Sequence, residues 1–151
     1  MIAPPADFRR AARFLPILCV DVVVEGPDGR FLLVKRRREP MKGRWWVVGG
    51  RVFRGERLSA AAVRKVREET GLPAAVTGPL GYYEDLSEKT PWGGRFRRHS
   101  VSVVFRAFVR DAADVRLDAQ SADWKWSRTL PGRFRIVPLD GRPGGGAVGR
   151  R

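Results

Sequence analysis

Apolar residues in this chain come as short runs broken by turn formers, with one change of period in the middle. "ILCVDVVV" (17–24) and "FLLVKR" (31–36) have the length and branching of strands, and the "EGPDG" between them carries the Gly, Pro and Asp of a turn. The pair predicts a hairpin. "RWWVV" (44–48) predicts a third strand, ended by Gly49 and Gly50. The period then shifts: "LSAAAVRKVREET" (58–70) is Ala-rich, lacks Gly and Pro, and runs into Gly71, which predicts a helix with a glycine C-cap and Ser59 as its N-cap. "LGYYEDL" (80–86) and "HSVSVVFRAFV" (99–109) read as further strands across a basic, Gly-containing loop, and "ADWKWSRT" (122–129) adds a short one. Strands around one clear helix predict a mixed α/β layer fold. The domain is expected over residues 1–137, and the Gly- and Arg-rich stretch 138–151, with little to bury, is expected to be a mobile basic tail.

Composition changes this picture in one respect. Hydrophobic residues make up 43% and charged residues 30% of 151 residues, ordinary for a globular domain, but 30 basic against 16 acidic side chains leave a net charge of +14. Most of the basic residues are Arg, whose fork matches phosphate, so a polyanionic partner is expected: a nucleotide, a nucleic acid or an anionic surface. Arg9, Arg10 and Arg13 ahead of "FLPILCVDVVV" imitate a leader peptide, yet Asp21 interrupts the run and no cleavage site follows. That run is read as a buried strand, and no membrane association is expected. Cys19 is the only cysteine, which excludes an intrachain disulfide and fits a reducing cytoplasm.

Candidate chemistry concentrates in "GGRVFRGERLSAAAVRKVREETGL" (49–72). Lys65, Glu68 and Glu69 stand at helical spacing that projects them from one face, and Glu56 arrives from the preceding loop. Gly50 would let a backbone carbonyl approach an ion closely. Carboxylates and a carbonyl are the hard ligands Mg²⁺ prefers, with Mn²⁺ as the alternative, and such an ion binds phosphate oxygens. On spacing alone, a solvated helix with Arg64–Glu68 and Lys65–Glu69 pairs accounts for the same residues.

The segment also resembles the Nudix box of hydrolases that cleave nucleoside diphosphates linked to another group. Gly50, Glu56, Arg64, Val66, Glu68, Glu69, Gly71 and Leu72 all fall in the family's register. The resemblance implies the Nudix fold, a mixed β-sheet sandwiched between α-helices, with metal held by Glu68 and Glu69 and aided by Glu56, and with Arg64 orienting the carboxylates. The one departure is Lys65, where the family has a Glu. At about 5 Å and an effective dielectric near 20, each unit pair is worth roughly 3 kcal/mol, so further metals are disfavoured and a one-metal site on Glu69, Glu68 and the Gly50 carbonyl remains.

Beyond the box, "DF" near the start, "PILCVDVVVEGPDGRFLLVKRR", "GRWWVVGGRV" and "DAQSADWKW" look like the GDP-mannose mannosyl hydrolase branch. That likeness implies substrate binding by Phe8, Asp21 and Arg36, with Arg36 also neutralising the departing diphosphate, a metal ligand at Gln120, and often a homodimer. The branch places its general-base His directly after that Gln, where this chain has Ser121, and a hydroxyl without a partner takes no proton near neutral pH. His99, the only histidine, is a candidate base, although a lone His at a strand edge is more often structural. Glu84 and Asp85 are alternative bases. The expected function is Mg²⁺-dependent hydrolysis of a nucleoside diphosphate sugar, GDP-mannose or a relative. A pyrophosphohydrolase of nucleoside triphosphates or dinucleotides is the alternative, and a noncatalytic nucleotide or nucleic-acid binder, suggested by +14 and the Arg-rich loop at 95–98, is the rival from another class.

Overall fold

The computed structural model describes residues 5–39, 41–87, 97–111 and 114–139. Most of the loop between the strands expected at 80–86 and 99–109, and nearly all of the expected tail, lie outside them. The described elements run α1 (Pro5–Ala11), β1 (Ile17–Glu25), β2 (Phe31–Arg36), β3 (Trp45–Trp46), β4 (Val48–Arg51), α2 (Leu58–Thr70), β5 (Ala75–Asp85), β6 (Ser100–Phe108), β7 (Ser121–Ser127) and β8 (Val137–Pro138). No helix among the described residues is long and apolar enough to cross a membrane.

β1 is apolar on both faces because it lies inside the sheet. It runs parallel to β6, from Ile17 opposite Ser100 to Glu25 opposite Phe108, and antiparallel to β4 and to the start of β2. The strands follow the order β3-β2-β1-β6-β5-β8, with β4 added on β1 and β7 on β2, so the sheet is mixed, as expected. Val20, Val22 and Val24 pack towards α2, where Ala61, Ala62 and Val66 meet them. Pleating sends the residues between them to the opposite face, where Val23, Leu33, Val47 and Val104 are covered by Phe134. Trp46, Tyr83 and Phe134 close that layer with ring centroids 5.3–5.8 Å apart.

α2 spans the residues its composition predicts and ends at Gly71, whose left-handed backbone (φ 70°) lets its N–H reach the Arg67 carbonyl at 2.9 Å. Its start differs from expectation. Arg57 holds the N-cap position without a side-chain cap, and Ser59 lies inside the first turn. The predicted third strand is two: β3, and β4, which continues through Gly49 and Gly50. Those glycines do not end a strand; they permit close packing within one. A Cβ on Gly49 would lie 2.1 Å from Asp21 Oδ1 and 2.6 Å from the Val20 carbonyl, and one on Gly50 would lie 2.8 Å from Lys65 Cε. Gly49→Ala must therefore shift the β1–β4 pairing, and we expect it to cost about 3 kcal/mol in urea denaturation, at the upper end of overpacking penalties.

The short helix α1 is absent from the expected elements, and so is β8, which pairs with β5 at Gly81 and Tyr82. β5 begins at Ala75, earlier than expected. Its register shifts on either side of Pro79, which cannot donate to the ladder.

Candidate active site

The loop from β4 to α2 brings Glu56 back to the helix, where Arg64 takes it in both hands: Nε donates to Oε1 at 2.6 Å and a terminal nitrogen to Oε2 at 2.8 Å. The Phe53 N–H donates to the same carboxylate at 3.0 Å. Arg64 also reaches Glu68 at 3.1 Å and the Arg51 carbonyl at 3.0 Å, with its guanidinium over the Phe53 ring. Glu56 thus serves as the anchor of Arg64, and its carboxyl is held down to about 2, first by that guanidinium and then by the Phe53 N–H, against the opposing effect of burial. A lowered carboxyl contributes stability that is complete above its ordinary value near 4.5 and is lost as pH falls towards 2. The Arg64–Glu56 clamp should therefore weaken progressively between those limits, and Glu56→Gln should flatten that part of an acid-denaturation curve.

One helical position on, Lys65 bends inward. Its stem lies over Gly50, and its ammonium sits 2.8 Å from Glu69 Oε1 and 3.4 Å from Glu68 Oε2. The Lys65 side chain is 6% exposed and that of Glu69 0%, whereas Glu68 is 46% exposed. The Lys65 ammonium holds Glu69 as an ion pair, and neither Glu69 oxygen has a further hydrogen-bond partner among the described residues. Burial raises the Glu69 carboxyl and Lys65 opposes the rise.

This group borders a cleft made of three adjoining hollows. The first, about 310 Å³, is lined by Gly50, Arg64, Lys65, Glu68, Arg36 and Gln120. It shares Cys19, Arg36, Gly49, Gly50 and Arg98 with a narrow pocket of about 70 Å³ that also holds Asp21, Trp46 and Ser102. That pocket shares Met41, Tyr83 and Asp85 with an outer hollow of about 480 Å³ that includes Glu84. Asp21 hydrogen-bonds to Ser102, and its carboxyl is pushed up to about 6, chiefly by burial, with Ser102 and Arg36 opposing. Burial likewise pushes the Cys19 thiol up to about 11, so it stays protonated and unreactive near neutral pH.

Gly50, Lys65, Glu68, Arg36 and Gln120 therefore come together at one hollow, and Asp21 at the next. Gln120 is held by Asp118, which accepts from its side chain at 3.0 Å and its backbone N–H at 2.9 Å. Phe8 and His99 do not line the cleft. The Phe8 ring lies 4.1 Å from the Arg51 guanidinium, and His99 Nε2 is buried without a hydrogen-bond partner among the described residues. Ser121 is buried too, and its hydroxyl has no such partner either. Two participants escaped sequence reasoning, Ser102 beside Asp21 and Asp118 behind Gln120, and so did the pairing of Asp85, a candidate base, with Arg98 at the mouth of the β5–β6 hairpin. The "DAQ" stretch carries a signal for Asp118, since Asp commonly bonds the backbone two residues on.

The NUDIX domain model matches residues 15–129, and the chain belongs to that family. It is 29% identical over 122 residues to the low-salt glycan biosynthesis protein Agl8 of Haloferax volcanii, covering 81% of this chain and 77% of that protein. It is 39% identical over 100 residues to an ADP-ribose pyrophosphatase of Methanocaldococcus jannaschii, covering 66% of this chain and 55% of that one. The MutT protein of Methanosarcina mazei superposes with a TM-score of 0.66 at 26% identity, over 80% of this chain and 89% of its own. The chain is thus a Nudix hydrolase of nucleotide derivatives, a family that generally uses a divalent metal.

The residues present fit such an ion sparingly. The buried Glu69 carboxylate, faced among the described residues by Lys65, and the exposed carboxylate of Glu68 suit a hard cation, but Arg64 already engages Glu56, and no group of three His, Cys, Asp or Glu side chains gathers among the described residues. There is room for one ion in competition with Lys65, and little basis for a second.

Proposed function

We propose that this protein is a Mg²⁺-dependent hydrolase of a nucleoside diphosphate sugar, GDP-mannose or a close relative. The observation that carries the reading is the placement of Lys65, Glu68 and Gln120 on the wall of a cleft whose adjoining pocket holds Arg36, Asp21 and Arg98. A nucleotide diphosphate laid along it would have its phosphates beside arginines and its remaining parts in the hollows on either side. The relative named for glycan biosynthesis supports a sugar-linked substrate.

Glu68 and Glu69 would hold the ion, together with the Gly50 carbonyl and Gln120. When bound, it would neutralise phosphate charge and lower the pKa of water. Arg64 keeps Glu68 turned towards the cleft while Glu56 fixes the guanidinium. Arg36 would neutralise the leaving diphosphate. Of the candidate bases, Glu84 and Asp85 line the cleft and His99 does not, which favours a carboxylate as acceptor of the water's proton. The single cysteine, buried as a free thiol, is consistent with a cytoplasmic setting.

A second reading has attack at phosphorus. The relative named ADP-ribose pyrophosphatase and Ser121 in the position of the branch's histidine both favour it. Phosphorus NMR of products formed from GDP-mannose and ADP-ribose with Mg²⁺ separates the two. GDP and free sugar mean carbon–oxygen cleavage; a nucleoside monophosphate with a sugar phosphate means attack at phosphorus. No Mg²⁺-dependent turnover of any nucleotide derivative would sink both.

A further inference from the structure

We propose that Arg98 is a diphosphate-binding residue of this cleft, and that Asp85 is the internal anion it gives up when substrate arrives. This rests on the hydrolase reading above.

Arg36 and Arg98 are the two arginines that line both the hollow beside Lys65 and the narrow pocket of Asp21. A diphosphate bridging those spaces passes between them. Of the other cations lining the hollow beside Lys65, Arg64 donates to Glu56, Glu68 and the Arg51 carbonyl, Lys65 faces Glu68 and Glu69, and Arg51 lies over the Phe8 ring; Arg38 lines that hollow but not the narrow pocket. Arg98 is pre-positioned through its backbone, whose N–H donates to the Ser87 carbonyl at 2.8 Å across the base of the β5–β6 hairpin. Its guanidinium is occupied by the Asp85 carboxylate at the end of β5. The side chains of the pair are 18% and 22% exposed, so water reaches both and the pair can exchange partners without stranding a charge in the core. Asp85 also has somewhere to turn, because it lines the outer hollow that Lys42, Arg44 and Arg133 share. A planar fork suits a diphosphate oxygen pair as well as it suits a carboxylate, and the diphosphate brings the larger charge. Asp85 thus neutralises the empty cleft and competes with substrate for one guanidinium.

Calorimetric titration with GDP in EDTA at low salt tests this. Arg98→Ala should weaken binding by about tenfold, Asp85→Asn should tighten it by about threefold or more, and the double variant should match Arg98→Ala. The sign at Asp85 is decisive. A purely structural pair predicts that Asp85→Asn loses affinity or leaves it unchanged, and either result overturns the assignment. Should Arg98→Ala fail to fold, Arg98→Lys, which keeps the charge but loses the fork, should still weaken binding measurably. Wild-type protein that binds no GDP overturns this inference, whereas the hydrolase reading is decided by the turnover assay with Mg²⁺. GDP binding with the expected Asp85 effect, but without turnover of any nucleotide derivative, overturns the hydrolase reading alone.

Discussion

Replacing Lys65 with methionine should destabilise the metal-free protein by about 3 kcal/mol and make its stability respond to Mn²⁺. Methionine keeps the stem that covers Gly50 and removes the ammonium facing Glu69, which is fully buried. Breaking a buried pair by deleting one partner typically costs about 3–5 kcal/mol, because the remaining charge is left in the core. The lower end applies here, since burial already raises the Glu69 carboxyl and lets it escape by taking a proton. In a chain of this size the loss corresponds to a fall in Tm of roughly 10 °C. The deficit should then be recovered as Mn²⁺ fills the place of the missing cation, while wild-type Tm hardly moves. Lys65→Glu, which places a third carboxylate beside Glu68 and Glu69, should raise Mn²⁺ affinity further, by well over tenfold against wild type. Electron paramagnetic resonance of free Mn²⁺ reads that affinity without any substrate. Wild-type protein that binds Mn²⁺ more tightly than Lys65→Met would show that Lys65 supports the ion and does not compete with it.

This explains why a cation stands among acids on α2. A third carboxylate at position 65 would repel Glu68 and Glu69 unless metal arrived, whereas Lys65 neutralises buried Glu69 while the site is empty and leaves the exposed Glu68 to respond to what enters the cleft. On this expectation the arrangement would trade metal affinity for a site that is assembled before any ion binds.

How far the sequence reveals this depends on whether a feature is local. α2 and its C-cap are legible because Ala content, absence of Gly and Pro, and Gly71 all act within the element itself. β1 is legible because an interior strand is apolar on both faces. β4 is misread because Gly normally weakens a strand, while here Gly49 and Gly50 answer to Asp21 and Lys65, residues distant in sequence. β8 is only two residues long and depends on Gly81, where a Cβ would lie 2.2 Å from the Val137 carbonyl. The same division runs through the site. The box positions Glu56, Arg64, Lys65, Glu68 and Glu69 are one local motif and can be read off in order. Asp21 meets Ser102 diagonally across β1 and β6, and Asp85 at the end of β5 meets Arg98 just ahead of β6, so both contacts depend on β1–β6 and β5–β6 register, which no periodicity in the chain encodes.

Asp21 supports the second large expectation: Asp21→Asn should make the protein more stable near pH 7.5 and less active. The carboxyl is raised from 3.8 to about 6, mainly by burial, so the folded protein holds this proton more tightly than the unfolded chain does. The associated stability is fully present below the unfolded value, declines as pH rises, and is lost above about 6. At neutral pH the ionised group therefore burdens the fold by about 3 kcal/mol, taking 1.36 kcal/mol per unit over that shift. Asparagine keeps the shape and a partner for Ser102 without the charge. Its advantage should appear in urea denaturation at pH 7.5, shrink through pH 6 to 5, and vanish near pH 4. Turnover should fall at least tenfold, because the neutral amide removes the one buried acid of the narrow pocket between Arg36 and Arg98. A variant that is less stable than wild type at pH 7.5 would mean that the ionised carboxylate is held by partners strong enough to repay its burial. A variant that gains stability and keeps full activity would leave Asp21 a burden with no catalytic return. The expected combination, a stabler and slower protein, is the mark of a charge retained for the chemistry of the cleft.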